Sequence, residues 1–209
     1  MYIKFTSFVA FLHATSNMAD DSKNSSIIQS DPFNLFVSSV KEKIGNSLLT
    51  SCHEGAATDA LCNSLTPLSN ISRSLYRLNN TMAKNLDEKF RDLGILTEVL
   101  HGVNFKLTIP MNLVFTENSS DAIPLFMPLD TGTLIGFDAN DNMFVPRKSG
   151  DEETPPTHKF IPEYRWNMCD TNIGYHYRTL VWIADTNLSV SSNTINCEKI
   201  CVTRKFITP

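Results

Sequence analysis

The sequence predicts an all-β protein: a single antiparallel β-sandwich or jelly-roll-like domain that carries one short helix. Three observations lead there. Apolar and polar residues alternate over much of the chain, which is the period of strands with one face turned inward. Leu180, Val181, Trp182, Ile183 and Ala184 form a continuous apolar run, short for a helix and rich in strand formers. Such a run fits a strand buried on both faces. Clusters of turn formers, such as Asp170 to Gly174 and Asp138 to Asn142, separate these segments. The chain has 209 residues, within the range of one all-β domain, and at 42% hydrophobic it can fill a core.

In chain order, residues 1–19 read as a signal peptide, with Lys4 giving a positive start, an apolar stretch from Phe5 to Leu12 and Ala19 ending the cleavage site. Residues 20–31 are polar and read as a flexible lead-in, and residues 32–209 form the β domain. Phe33, Leu35 and Val37 alternate with Asn34, Phe36 and Ser38 in a first strand, and Pro32 at its start suits a sheet edge. Lys41 to Asn46 is a charged turn. CHEGAATDALC, from Cys52 to Cys62, reads as a strand-turn closed by a local disulfide. That closure contributes about 3 kcal/mol in the chain-entropy model. The spacing is not the C-x-x-C of zinc sites, and HEGAA lacks the second histidine of the HExxH signature. His53 and Glu54 are adjacent, so in a strand they point to opposite faces.

Leu75 and Tyr76 lie in a strand-like setting. Met82, Leu86, Phe90 and Leu93 recur at helical spacing, which predicts the short helix over Thr81 to Leu93, capped by Asn80 or Thr81 and ended by Gly94. Val103, Phe105, Leu107 and Ile109 give the clearest period-two run, with Met111, Leu113 and Phe115 following a break at Pro110. Leu125 to Met127 sits between Pro124 and Pro128. Leu134 to Phe137 and Met143 to Val145 flank Asp138 to Asn142, a hairpin. That turn begins like a calcium loop but lacks Gly at the sixth position and Glu at the twelfth. Arg147 to Lys159 is polar and Pro-rich, a surface loop.

The stretch from Tyr164 to Phe206 holds both tryptophans, three of the five cysteines and three of the five tyrosines. Tyr164, Trp166 and Met168 alternate with Arg165, Asn167 and Cys169. Further on, Ile200, Val202 and Phe206 share one face with Glu198 and Arg204. This is the predicted centre of the core, and truncating Trp166 or Trp182 costs roughly 3–5 kcal/mol.

Composition narrows the function. Only 19% of residues are charged, against a usual value of roughly 25%, and Ser, Thr and Asn fill the gap. The net charge is −4 with no basic stripe, which argues against nucleic acid as a partner. No run of 18 apolar residues could cross a membrane as a helix. Asn24, Asn70, Asn79, Asn118 and Asn187 each begin an N-x-S/T sequon, the acceptor for N-glycans on a secreted chain. There is no G-x-S-x-G elbow, P-loop or dinucleotide fingerprint, so no catalytic residue, cofactor or metal is assigned. Tyr164, Tyr175, His176, Tyr177 and Arg178 are the candidate ligand-binding platform, offering stacking faces and hydrogen bonds. The first reading is an extracellular or cell-wall interaction protein that meets glycans or host surface components. The alternatives are a lectin-like module and a secreted glycoside hydrolase with a carboxylate pair that the sequence does not mark.

The order CHEGAATDALC, NSSDAIPLFMP (Asn118 to Pro128), Phe137-Asp138 with Met143 to Pro146, then YRWNMC, GYHYRTLVWI and an NCEKI strand ending in Arg204 resembles an uncharacterised family of small secreted fungal proteins, a domain of unknown function. The resemblance runs from about Phe33 to Ile207. It implies secretion, a β-rich fold, and pairing of Cys52 with Cys62 and of Cys169 with Cys197, but no activity. Two positions depart from it: Cys201, where no cysteine is expected, and Glu98, where the family tends to be aromatic. Cys197 and Cys201 share a strand face, so the residues themselves leave Cys201 open as the alternative partner of Cys169.

Overall fold

The computed structural model describes residues 28–39, 47–63, 75–80, 90–101, 104–149, 159–184 and 190–207. Among these residues, fourteen strands form one continuous antiparallel sheet. They are β1 (Ile28–Gln29), β2 (Phe33–Ser39), β3 (Ser47–Gly55), β4 (Thr58–Asn63), β5 (Tyr76–Asn80), β6 (Phe90–His101) and β7 (Lys106–Phe115). There follow β8 (Asp121–Phe126), β9 (Leu134–Asp138), β10 (Met143–Ser149), β11 (Lys159–Glu163), β12 (Trp166–Asn172), β13 (His176–Ile183) and β14 (Thr194–Phe206).

Three strands carry the sheet from one layer to the other. β3 begins on β2 (Phe36↔Leu48) and continues on β4 (Leu49↔Asn63 to Gly55↔Thr58). β7 pairs with β6 up to Pro110 and with β8 from Met111. β14 pairs with β12 up to Lys199 and with β2 from Ile200. Strands that switch sheets in this way make the corners of a sandwich. The added pairings of β5 with β6 and of β13 with β8 close a ring of hydrogen-bonded neighbours, β5-β2-β14-β12-β13-β8-β7-β6. The result is the sandwich-like all-β domain expected.

Between the layers lies one main core, to which both contribute: Phe33, Leu35 and Val37 of β2, Tyr76 and Leu78 of β5, Trp166 of β12, Leu180 and Trp182 of β13. Trp166 and Trp182 oppose each other directly across β12 and β13, edge to face at 4.9 Å. The Trp166 indole N–H donates to the Met143 carbonyl of β10 at 2.8 Å, so its single polar group is satisfied. β13 is buried on both faces, as its apolar run requires: Leu180 and Trp182 enter the main core, while Val181 and Ile183 join Ala60, Ile123, Leu125 and Cys169 in a second cluster. Arg204 is buried with Ile200 and Val202. Its guanidinium bonds Asp141 at 2.9 Å, also reaches Asp92, and lies 4.3 Å over the Phe137 ring. It thereby pins β14 to β6 and to the β9–β10 turn.

Four expectations need correction. There is no helix among the described residues. Phe90 to Leu93 belong to β6 and ladder with β9, and Gly94 is a ladder residue opposite Asn80, where a Cβ would come within 2.4 Å of the Asn79 carbonyl. Pairing with β9, joined by β5 from Gly94 onward, overrides the helical spacing there; the remaining residues, 81–89, lie outside those described. Pro110 does not break β7, because it stands at the corner where the strand leaves β6 for β8, a point at which a missing N–H is tolerated. β2 is not an edge strand, since β14 flanks it on one side and β3 and β5 on the other. Finally, Arg147 to Ser149 and Lys159 are ladder residues of β10 and β11 rather than loop.

Candidate functional site

Both disulfides of the resemblance are present. Cys52 joins Cys62 across the β3–β4 hairpin, and Cys169 of β12 joins Cys197 of β14, with Cα atoms 5.8 and 4.1 Å apart. Cys201 is a free, exposed thiol.

The two most distinctive motifs, CHEGAA and GYHYRTLVW, meet. Glu54, 8% exposed, accepts hydrogen bonds from the backbone N–H groups of Gly174 and Tyr175, both at 3.1 Å, and so caps the β12–β13 turn. Gly174 is required there: a Cβ would lie 2.3 Å from the Glu54 carbonyl oxygen. On the neighbouring residue, the His53 ring lies 6.1 Å from that of Tyr175, which in turn lies 6.1 Å from Tyr177. Tyr175 is 52% exposed and the His53 side chain 60%. These three rings make an aromatic strip, exposed at His53 and Tyr175 and half-buried at Tyr177, beside the Cys52–Cys62 disulfide and the capped turn.

The predicted platform is therefore only partly assembled. Tyr175 and Tyr177 stay together, and His176 beside them is exposed. Tyr164 is elsewhere. Its hydroxyl donates to Asp138 at 2.9 Å and its ring packs on Phe144, and burial, then that carboxylate, push its pKa up to about 12. Arg178 follows the inward parity of Leu180 and Trp182. It bonds Asp170 at 2.8 Å and lies 3.8 Å from Glu198. The hydrogen bond from Asn196, then that from Arg178, hold the Asp170 carboxyl below its usual range.

Behind the strip lies a second polar group. His53 Nδ1 is 3.5 Å from Asp59 Oδ1. Asp59 is in hydrogen-bonding contact with the Glu98 carboxyl, which also accepts from the Ser51 hydroxyl. The Tyr76 hydroxyl lies 3.4 Å from Ser51 Oγ. Glu98 is 7% exposed and its Oε1 has no hydrogen-bond partner. Burial pushes its pKa up to about 7, with Ser51 working against the rise and the neighbouring Asp59 adding to it. Burial and the Glu98 charge likewise raise Tyr76. In the sequence Glu98 is marked only by its departure from an aromatic position; its place as an inward carboxyl between Leu96 and Leu100 follows from the strand β6.

The calcium reading of Asp138 fails on its donors. Asp138 accepts from the backbone N–H groups of Asn140 and Asn142, the Asn142 side chain and the Tyr164 hydroxyl, so its oxygens are engaged. Burial would raise its pKa, but these donors outweigh it and hold the carboxyl low. Among the described residues, no three His, Cys, Asp or Glu side chains could hold a metal ion together. Of the sequons, Asn118 stands exposed in a turn with φ 57°, and Asn79 lies in β5 with its side chain bonded by Gln29. Asn24, Asn70 and Asn187 lie outside the described residues, as does the expected signal peptide. No helix among the described residues is long and apolar enough to cross a membrane. No family model matches the chain, and no match is found among the curated proteins or the solved structures.

Proposed function

We propose that this is a secreted, N-glycosylated binding protein that works outside the cell and holds glycans on the His53–Tyr175–Tyr177 strip. The strip carries the reading. A sugar ring offers an apolar C–H face with a polar rim, and exposed aromatic rings with polar edges complement both. Two disulfides suit an oxidising compartment, and the exposed Asn118 turn suits a carbohydrate acceptor. The resemblance to the secreted fungal family belongs to the same proposal, because its two most specific motifs are the ones that Glu54 and Gly174 lock together. A hydrolase is the weaker reading: glycosidase carboxyls stand roughly 5–9 Å apart across the substrate, whereas Glu98 is buried with its carboxyl turned to Ser51.

The test is a glycan array with the secreted protein, followed by thermal shift with each hit. Binding that raises the melting temperature, and that weakens about tenfold in Tyr175→Ala, is expected, since a well-placed aromatic contact is worth about 1–1.5 kcal/mol. No binding, or binding indifferent to both Tyr175→Ala and Tyr177→Ala, sinks the proposal.

A further inference from the structure

The outer face of β5, β6 and β7 carries a groove separate from the aromatic strip. Arg77, Thr97, Val99, His101 and Thr108 line a hollow of about 540 Å³. Through Thr97 and Thr108 it runs into a second hollow of about 510 Å³, bounded by Asn79, Ile95 and the loop Leu129 to Gly132. Either volume is in the range of small-ligand sites, roughly 300–1,000 Å³. The loop is a close-fitting wall: a Cβ on Gly132 would come within 2.4 Å of Ile95 and 3.0 Å of Pro110.

The charge along the groove is uneven. Arg77 donates to the Ser30 carbonyl at 3.0 Å and pairs with no carboxylate among the described residues. Four residues along β6 from Thr97, the ladder partner of Arg77, His101 stands directly across from Lys106, a second basic group. The carboxylate of the lining, Asp130, is at the far end, while the Glu98 carboxyl is turned inward to Ser51. A basic patch of this kind on a chain of net charge −4 favours an anionic ligand. The rest of the lining alternates hydroxyls and amides with short apolar surfaces, which suits a sugar chain. An acidic peptide is the poorer fit. Extended peptides bind by adding to a free strand edge, and β6 is paired by β9 and then β7 on one side and by β5 from Gly94 to Glu98 on the other, which leaves only Val99 to His101 without a partner on the β5 side among the described residues.

We propose that this groove binds an extended acidic saccharide, with a uronate carboxylate at Arg77 and sugar rings lying over Thr97 and Thr108 toward the Leu129–Gly132 loop. The experiment is calorimetric titration of the full glycosylated protein with a galacturonic acid hexamer, a neutral glucose hexamer and a hexaglutamate peptide. The galacturonate hexamer is expected to bind, more weakly as salt rises. Arg77→Gln should weaken it about tenfold or more, since a charge-assisted contact is lost. Thr108→Tyr, which fills the groove and leaves the charges in place, should weaken it as well, and melting curves of both variants establish that they are folded. The proposal is overturned if the hexamer does not bind, if the neutral hexamer binds as tightly, or if binding survives both substitutions. Equal, Arg77-dependent binding of hexaglutamate overturns it in favour of a peptide. Loss of binding in Tyr175→Ala assigns the ligand to the aromatic strip instead.

Discussion

Two buried carboxyls in this fold have opposite fates. Asp121 opens β8 and is fully buried, yet its carboxylate accepts from the Ser191 N–H and the Thr194 hydroxyl, both at 2.8 Å, and lies 3.4 Å from the Thr116 hydroxyl. Burial alone would raise its pKa, but the donors of Ser119, Ser191 and Thr194 together hold it below the ordinary value. Glu98, between the layers, has the Ser51 hydroxyl as a donor and Asp59 as a like-charged neighbour, and its pKa rises to about 7. Burial by itself does not set the charge of a carboxyl. The number of donors aimed at it does.

The comparison breaks most visibly at Asp121. Asp121→Ala leaves Thr194 and the Ser191 N–H without their acceptor, and should cost about 3 kcal/mol in urea denaturation; a loss below about 1 kcal/mol would show that the donors find water instead. The next effect is in pH. Unfolded, Glu98 titrates near 4.5, and folded near 7, so between these values the folded state holds the extra proton. Its contribution is complete below pH 4.5 and is lost as pH rises through 7, on the order of 2–3 kcal/mol. Asp121 has the opposite sign: its contribution is present above 3.8 and is lost as pH falls through its lowered value. Denaturation midpoints across pH 4 to 8 should therefore decline for the native chain and flatten in Glu98→Gln; an equal decline in both would remove Glu98 as the cause. Glu98→Leu should lose the decline as well, so that its stability relative to the native chain rises by about 2–3 kcal/mol from pH 5 to pH 8, because an apolar side chain avoids the cost of burying an ill-supported charge. The same difference at both pH values in calorimetry would contradict this. The smallest effect is Tyr76→Phe. Its hydroxyl contacts, 3.4 Å to Ser51 and 3.5 Å to the Leu49 carbonyl, are at the long limit, so stability should fall by under about 1 kcal/mol.

Strand identity was readable wherever burial follows period two. β2 and β12 stand where the alternation puts them, β13 where its continuous apolar run does, and the β9–β10 hairpin around its turn. β6 was misread because Leu93 and Gly94 fit the end of a helix as well as they fit a ladder, and only the partners Gly136 and Asn80, distant in sequence, decide between the two. The candidate site was half visible. Tyr175 and Tyr177 were named, but Tyr164 and Arg178 share only their sequence neighbourhood, and their side chains are claimed by Asp138 and Asp170. His53 joins the strip through a contact between β3 and the β12–β13 turn, which no local pattern encodes. The groove on β5 to β7 is likewise a product of register, which sets Arg77 opposite Thr97 and His101 opposite Lys106.

The pairing of β2 with β14, from Phe33 opposite Phe206 to Ser39 opposite Ile200, also sets a clock on biosynthesis. β2 emerges from the ribosome early and meets β3 and β5 soon after, but must wait for nearly all the rest of the domain before β14, its partner along the whole strand, exists. At roughly 5–20 residues per second that wait is on the order of ten seconds or more. During it Phe33, Leu35 and Val37 have no completed core to enter, and a chain stopped before Thr194 would leave these apolar residues open to aggregation.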